Sequence, residues 1–379
     1  MANVIDLFAG AGGLSLGATR ANFNVSAAVE LDSHAIATHI NNFPFTTHIC
    51  QDILTLNGSD LLNLANISQN SLTGIIGGPP CQGFSTMGKK NVNDSRNQLF
   101  VKFFKLVAEL QPVFFVAENV PGIMNNKYNQ IREEAFSYVQ NYQLLSPLKV
   151  NASEYGAPTT RTRIFFIGYR ICNKINALCE DDFVKAKVHS SQKTFVYQAL
   201  EGLPANIHYS SKSTGLKKLS PEYYDINFKH SQSDFFYQRV IGSRPTNIGN
   251  PEYIELYQKK HIVNGCFPTK HSEKVRKRYS KLSAGQQDAV SKSTKLNPYG
   301  FCPTLRSGTG PEKGSYQAVR PIHYAYSRVI TPREAARLQG FPDWYQLPDT
   351  IWHSFRQLGN SVSPIVAEKL MSVIFQKLT

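Results

Sequence analysis

The chain has no two cysteines at C-x-x-C spacing and no histidine at metal-ligand spacing from a cysteine. Its six cysteines, Cys50, Cys81, Cys172, Cys179, Cys266 and Cys302, therefore suggest neither a zinc site nor a disulfide framework, and reduced thiols are expected. It lacks an apolar run of ~18 residues, which argues against a membrane-spanning helix. It also opens on a strand pattern rather than a signal peptide. These absences predict a cytoplasmic, metal-free protein with no membrane partner. There is no internal repeat. Acidic residues are the scarce charge, 27 against 41 Lys and Arg, for a net +14. The excess is uneven: residues 1–190 balance at +1, residues 191–353 at +11 and residues 354–379 at +2. A near-neutral first half followed by a basic segment points to a polyanion met by the second part, nucleic acid first.

With 379 residues, 41% hydrophobic and 18% charged, the chain can bury a large core plus a smaller domain. Its centre is Gly77-Gly78-Pro79-Pro80-Cys81-Gln82-Gly83-Phe84-Ser85. The apolar Gly74-Ile75-Ile76 leads into it, so it reads as a buried strand ending in a rigid turn that holds Cys81 at the strand's carboxyl edge, where open α/β sheets bind ligands. A buried structural thiol is the alternative for a cysteine taken at random.

Asn3 to Phe8 reads as a first strand, and Ala9-Gly10-Ala11-Gly12-Gly13 as a tight turn into a helix from Leu14. Ser15 stands where the dinucleotide fingerprint needs its third glycine, so that motif is excluded. Glu30 closes a second strand, Val25 to Val29, and Asp52-Ile53 ends a third. Two acids after successive strands, behind a glycine turn, suggest an adenosine-bearing ligand. Val113 to Ala117 forms another strand, delivering Glu118. Between Cys81 and that strand, Gly83 to Phe100 is a polar stretch containing Lys89, Lys90 and Arg96, read as a flap that closes on the substrate. Arg161 and Arg163 alternate onto one face ahead of the strand Ile164 to Ile167. Lys274, Arg276, Lys277 and Arg278 crowd the basic segment as a candidate phosphate contact, while Arg306 and Gln317 lie in Gly/Ser-rich stretches suited to base edges. Thr331 reads as an N-cap with Pro332 at the first helical position.

Asp6-Leu7-Phe8-Ala9-Gly10-Ala11-Gly12-Gly13, Gly78-Pro79-Pro80-Cys81, Glu118-Asn119-Val120, Arg161-Thr162-Arg163 and Gly359-Asn360-Ser361-Val362 occur in one order. Taken together, these motifs make the chain resemble the DNA cytosine C5-methyltransferase family of bacterial type, along nearly its whole length. The resemblance implies an α/β Rossmann-like methyltransferase sheet with helices on both faces. It implies a catalytic domain from 1–190 and 354–379, and an inserted, smaller basic target-recognition domain at 191–353. It implies S-adenosylmethionine, leaving as S-adenosylhomocysteine, in a pocket of Phe8, Gly10, Gly12, Gly13, Leu14, Glu30, Leu31, Asp52, Ile53, Pro79, Leu99, Asn360, Ser361 and Val362. It assigns Arg161 and Arg163 to the active site, with Arg163 nearer the cytosine, and Ser85 to a phosphate. One departure stands out: Thr159 occupies a place that is usually glutamine.

Cytosine C5 is a poor nucleophile, so its methylation needs a thiolate at C6, the role expected of Cys81. An acid must support ring N3 as charge gathers there, the role expected of Glu118, whose burial among apolar neighbours would favour its protonated form. The expected partners are double-stranded DNA and a cognate restriction endonuclease, with the chain a nucleoid-associated monomer. The competing readings are a tRNA cytosine methyltransferase on the same scaffold and a catalytically silent DNA-binding relative.

Overall fold

A computed structural model describes residues 2–80, 97–170, 178–204, 207, 222–223, 235–242, 244–308 and 319–378. Cys81, Ser85, Lys89, Lys90, Arg96 and Gln317 lie outside the described residues, as does most of the flap read between Cys81 and Phe100.

The first part of the chain alternates strand and helix, as the sequence predicts. It runs β1 (Asn3–Leu7), α1 (Gly13–Arg20), β2 (Asn24–Val29), α2 (Ser33–Asn42), β3 (Thr47–Ile49), α3 (Gly58–Ala65), β4 (Leu72–Gly77), α4 (Asn97–Leu110) and β5 (Phe114–Asn119). These five strands are parallel to one another. After α5 (Asn129–Ser137), β6 (Tyr142–Leu144), β7 (Leu148–Asn151) and β8 (Thr162–Arg170) complete the sheet. Its order is β3-β2-β1-β4-β5-β8-β6, with β7 also on β8, and the pairings of β8 are antiparallel.

Strand alternation sends successive side chains to opposite faces, and both faces are buried. Val4, Phe114, Val116, Phe165 and Ile167 join one core with α1 and the C-terminal helix. Ile5, Ile75, Phe115, Ala117 and Phe166 join the other with Phe100, Phe103 and Phe104 of α4. The sheet is therefore sandwiched between helical layers, the doubly wound arrangement expected.

The remaining elements are α6 (Glu180–Lys185), α7 (Val196–Leu200), β9 (Glu222–Tyr223), α8 (Phe235–Tyr237), α9 (Pro251–Lys260), β10 (Ile262–Val263) and α10 (Glu273–Ser280). Then come α11 (Pro332–Gln339), α12 (Ile351–Asn360) and α13 (Pro364–Leu378). Thr331 caps α11 in a reciprocal capping box with Glu334, Pro332 stands at its first turn, and Gly340 ends it at φ 87°. The whole helix is buried. Arg337 pairs with Asp343 at 2.5 Å, while Arg333 donates to the carbonyls of Asn264, Pro342 and Tyr345. Buried cations of this kind are tolerated only when fully partnered.

One boundary differs from expectation. α4 begins at Asn97, so Leu99 and Phe100 are helical rather than part of a polar loop. Phe100, Phe103, Phe104 and Val107 recur at helical spacing and are buried, a period that begins before the polar residues end.

Candidate active site

In the sheet order, β1 and β4 are neighbours from which the chain winds in opposite directions, the place where doubly wound sheets bind ligands at strand carboxyl ends. The turn from Phe8 to Gly13 leaves β1 there. Phe8, Gly10 and Gly12 adopt φ of 62°, 55° and 74°, the left-handed region that glycine enters without strain. Glu30, at the end of β2, is a clamp for this turn. Its two carboxylate oxygens accept from Gly10 N and Asp32 N, each at 2.9 Å. Burial raises the Glu30 carboxyl above its ordinary pKa, against these hydrogen bonds. A Cβ on Gly10 would meet nothing nearer than 4.0 Å, so the turn faces open space. A Cβ on Gly13 would lie 2.2 Å from Val362 O and 2.3 Å from Ser361 Oγ. The chain's two ends thus meet where Asn360, Ser361 and Val362 are expected to complete the pocket. Gly13→Ala should lower stability by about 1–3 kcal/mol through overpacking. Thermal unfolding with and without cofactor would check it, the cofactor-induced rise shrinking as well.

Asp52 sits after β3, and its Oδ1 accepts from Leu54 N at 3.0 Å, capping the turn that begins at Ile53. Leu31 is 64% exposed beside Glu30, and Leu14 is buried at the start of α1. Leu99 is half-buried on α4.

The second wall joins β4, β5 and β8. Glu118 is buried at the end of β5, and its Oε1 is 2.6 Å from Arg163 Nε on β8. Its neighbour is thus a guanidinium rather than the apolar surroundings expected, and the two groups form a contact ion pair. Arg163 also donates through Nη1 to Thr162 O at 2.8 Å, and Nη2 has no partner among the described residues. Gly78 is pressed against the pair, since a Cβ there would be 3.1 Å from Glu118 Oε2. Asn119 Nδ2 donates to Pro79 O at 3.4 Å. The root of the Pro-Cys loop is therefore tied to the strand that carries Glu118. In chain order, Cys81 follows Pro80 directly.

Arg161 and Arg163 line one cavity with Phe165, Val362 and Val366, as alternation predicts, but their heads diverge. Arg161 is buried and donates to Leu305 O at 3.2 Å, Gly359 O at 2.8 Å and Asn360 O at 3.1 Å. It fastens the Asn360 segment to the Gly/Ser-rich stretch around Arg306. Thr159, the departure from the usual glutamine, is fully buried and bonds Cys302 O at 3.0 Å, strengthening the same junction. Gly359 approaches Arg306 and Ser307 so closely that a Cβ would meet Ser307 N at 2.4 Å.

The basic cluster divides as well. Lys274, Arg276 and Lys277 are exposed on α10, with Lys277 in a surface pair with Glu273. Arg278 instead grips Asp288 through two hydrogen bonds of 2.6 and 3.1 Å. If this exposed face meets nucleic-acid phosphates, as the sequence suggests, neutralising Lys274, Arg276 and Lys277 together should weaken binding to all DNA sequences and flatten its salt dependence, as measured by binding titrations over a salt series. Arg278→Gln should lower the unfolding temperature and leave that salt slope nearly unchanged.

Sequence reasoning missed a polar chain beneath the glycine turn: Asp6, Ser15, His39 and His48. Its one visible signal was Ser15, a polar residue in the helix position that faces the strand.

A doubly wound sheet with a glycine turn clamped by a strand-end carboxylate places the chain in the α/β class whose ligands bind at strand carboxyl ends. A family model for C-5 cytosine-specific DNA methylase matches residues 2–376. Type II methyltransferase M.XorII of Xanthomonas oryzae pv. oryzae is 35% identical over 382 residues, covering 99% of this chain and 84% of its own. Type II methyltransferase M.DdeI of Desulfomicrobium norvegicum is 33% identical, covering 97% and 87%. A crystal structure described as a DNA modification methyltransferase encoded within a prophage (E. coli) matches with TM-score 0.86 and 47% identity, over 100% of this chain and 99% of that one. The S. pombe Dnmt2 methyltransferase, at 16% identity and TM-score 0.60 over 99% of each chain, shares the fold. The chain belongs to the C-5 cytosine-specific DNA methylase family, and its activity is that of a DNA cytosine-5-methyltransferase. Among the described residues, no group of three or more His, Cys, Asp or Glu is placed to hold a metal ion, and no helix is long and apolar enough to cross a membrane.

Proposed function

We propose that the protein methylates C5 of a cytosine flipped out of a specific double-stranded DNA sequence, as the modification partner of a type II restriction endonuclease. The observation that carries this is the Glu118–Arg163 pair, set against Gly78 and the Pro79–Pro80 root at the end of β5, two strands along the same sheet from β1 and its Glu30-clamped turn.

The turn fits S-adenosylmethionine. Open space over Gly10, the Glu30 and Asp52 carboxyl groups, the exposed Leu31 and the converging Asn360–Val362 segment are the elements an adenosine and an amino-acid tail need. Phe8, Gly12, Gly13, Leu14, Ile53, Pro79 and Leu99 complete the reading. When bound, the cofactor supplies an electrophilic methyl group, and S-adenosylhomocysteine is the product.

Cys81, one peptide beyond Pro80, adds its thiolate to cytosine C6. This breaks the 5,6 double bond and makes C5 nucleophilic. Glu118 supports N3 as charge develops, and Arg163 holds Glu118 through Nε while its Nη2 is available to the ring carbonyl. A base stacked in duplex DNA cannot present C6 to a thiol in a protein cleft, so the cytosine must leave the helix.

DNA occupies the cleft between a catalytic domain of 1–190 and 354–379 and a recognition domain of 191–353. Lys274, Arg276 and Lys277 meet phosphates, and Arg306 and Gln317 meet bases. Lys89, Lys90 and Arg96, with Ser85, belong to the flap that closes over the DNA. Residues 191–353, larger and more basic than a minimal core requires, favour duplex DNA over tRNA. The chain acts as a monomer, near the nucleoid. Bisulfite sequencing of DNA from cells expressing it should reveal methylcytosine at one recurrent sequence. Unmodified DNA would refute the reading.

A further inference from the structure

Beneath the glycine turn, four side chains from four elements form one unbroken hydrogen-bonded chain. Asp6 on β1 and Ser15 on α1 are joined at 2.6 Å between Oδ2 and Oγ. Ser15 Oγ is 3.0 Å from His39 Nε2 on α2, and His39 Nδ1 is 2.9 Å from His48 Nε2 on β3. Asp6, Ser15 and His39 are buried, while His48, on the sheet's edge strand, is half-buried. The other Asp6 oxygen, Oδ1, is buried with no hydrogen-bond partner among the described residues. Asp6 also faces Glu30, which clamps the turn, and Tyr345, whose hydroxyl donates to Ala11 O within it.

The donors in this chain have two end arrangements, with the mobile proton at Asp6 or at His48; the intermediate that leaves it on His39 is disfavoured by the burial of that ring. His48 holds a hydrogen bond with the Thr46 backbone of a kind that favours its charged form, which is one the ring donates, and Nε2 is already turned to His39. With His48 neutral and donating through Nδ1, its Nε2 must accept from His39. His39 Nε2 then accepts from Ser15, and Ser15 accepts a proton shared by Asp6. In the second arrangement Asp6 gives its proton to Ser15, Ser15 gives its own to His39 Nε2, and His39 gives its Nδ1 proton to His48 Nε2. One proton has then moved from Asp6 to His48, and none has come from solvent. Asp6 is left a carboxylate and His48 an imidazolium.

Burial favours the neutral arrangement. It raises the Asp6 carboxyl to about 7, with the Ser15 hydrogen bond opposing and Glu30 adding to the rise. It also lowers the His48 and His39 rings below their ordinary values. A positive charge in the space above the turn reverses that preference at Asp6.

We propose that Asp6, Ser15, His39 and His48 are positioning residues forming a proton-sharing chain that makes the charge under the cofactor turn follow the charge of the ligand above it. A cationic ligand draws the proton to His48, and a neutral one leaves it on Asp6. The chain therefore favours the sulfonium-bearing methyl donor over its uncharged thioether product. This rests on the cofactor reading above.

The test uses the full-length protein labelled with 15N-histidine, with spectra recorded free, with S-adenosylmethionine and with S-adenosylhomocysteine, alongside the affinity of each ligand. S-adenosylmethionine should switch His39 from its Nδ1–H to its Nε2–H tautomer and shift His48 to the imidazolium, while S-adenosylhomocysteine should leave both as in the free protein. His48→Gln, which keeps hydrogen-bonding atoms but cannot carry the proton, should erode the preference for S-adenosylmethionine over S-adenosylhomocysteine by about tenfold, the equivalent of one pKa unit. A purely structural role would weaken both ligands alike. If both ligands bind and His39 keeps one tautomer throughout, or the variant keeps the parent's preference, the proposal is overturned and the cofactor reading stands. If neither ligand binds, both fall.

Discussion

Cys81→Ser should abolish methyl transfer, with no product above background over many parent turnovers, while S-adenosylmethionine affinity stays close to that of the parent. The asymmetry follows from where the two functions reside. The described part of the proposed cofactor site is built mainly on β1, β2, β3, α1 and the Asn360–Val362 segment, with Pro79 and Leu99 at its margin, and its closest approaches, Glu30 to Gly10 and Gly13 to Val362, do not involve Cys81. A serine hydroxyl is far less acidic than a thiol, so it presents almost no anion near neutral pH and cannot add to C6 at a useful rate. Burst kinetics and equilibrium binding on the same preparations would check this. Duplex DNA carrying 5-fluorocytosine should leave a covalent complex with the parent enzyme, because fluorine cannot depart from C5 as a proton does. Mapping the attachment to a peptide without Cys81 would remove the assignment.

The five parallel strands and β8 were legible because they are short apolar runs, most ending in Gly, Asp or Glu, with both faces buried, whereas the short edge strands β6 and β7 carry no such run and were not read. The α11 cap was equally plain, since Thr331, Pro332 and Glu334 each bias the same turn. Partnering was not legible. Nothing in the linear order of Arg161-Thr162-Arg163 reveals that one guanidinium would bind three carbonyls from Leu305, Gly359 and Asn360 while the other meets Glu118. Likewise, Arg278 looked like its three basic neighbours until Asp288, ten residues away, was seen to hold it. Contacts of this kind depend on chain reversal and sheet pairing, which local spacing does not encode. The Asp6 chain was hidden for the same reason. His39 and His48 are nine residues apart in sequence, yet they align only because α2 packs beside β3.

Glu118→Gln should reduce single-turnover methyl transfer by about 10²–10⁴, the usual worth of a positioned acid, while duplex affinity changes little. Glutamine keeps the length of the side chain and a carbonyl that can accept from Arg163 Nε, so the junction with Gly78 should survive. What it loses is the carboxyl group's capacity to exchange a proton, and with it the ionic partner of the guanidinium. These two losses can be separated through Arg163, whose Nε is committed to Glu118 at 2.6 Å and whose Nη1 is committed to Thr162. Arg163→Lys retains the charge but not the fork, so it should cost methyl transfer on its own account. If Glu118 acts only by holding Arg163 in place, the double variant should be no slower than the worse single variant. If Glu118 also supports N3, the two losses should compound in the double variant. Binding measured with S-adenosylhomocysteine present supplies the control. Should duplex affinity fall in parallel with rate for Glu118→Gln, the carboxylate would be a base-binding or structural group, and its part in the chemistry would have to be withdrawn.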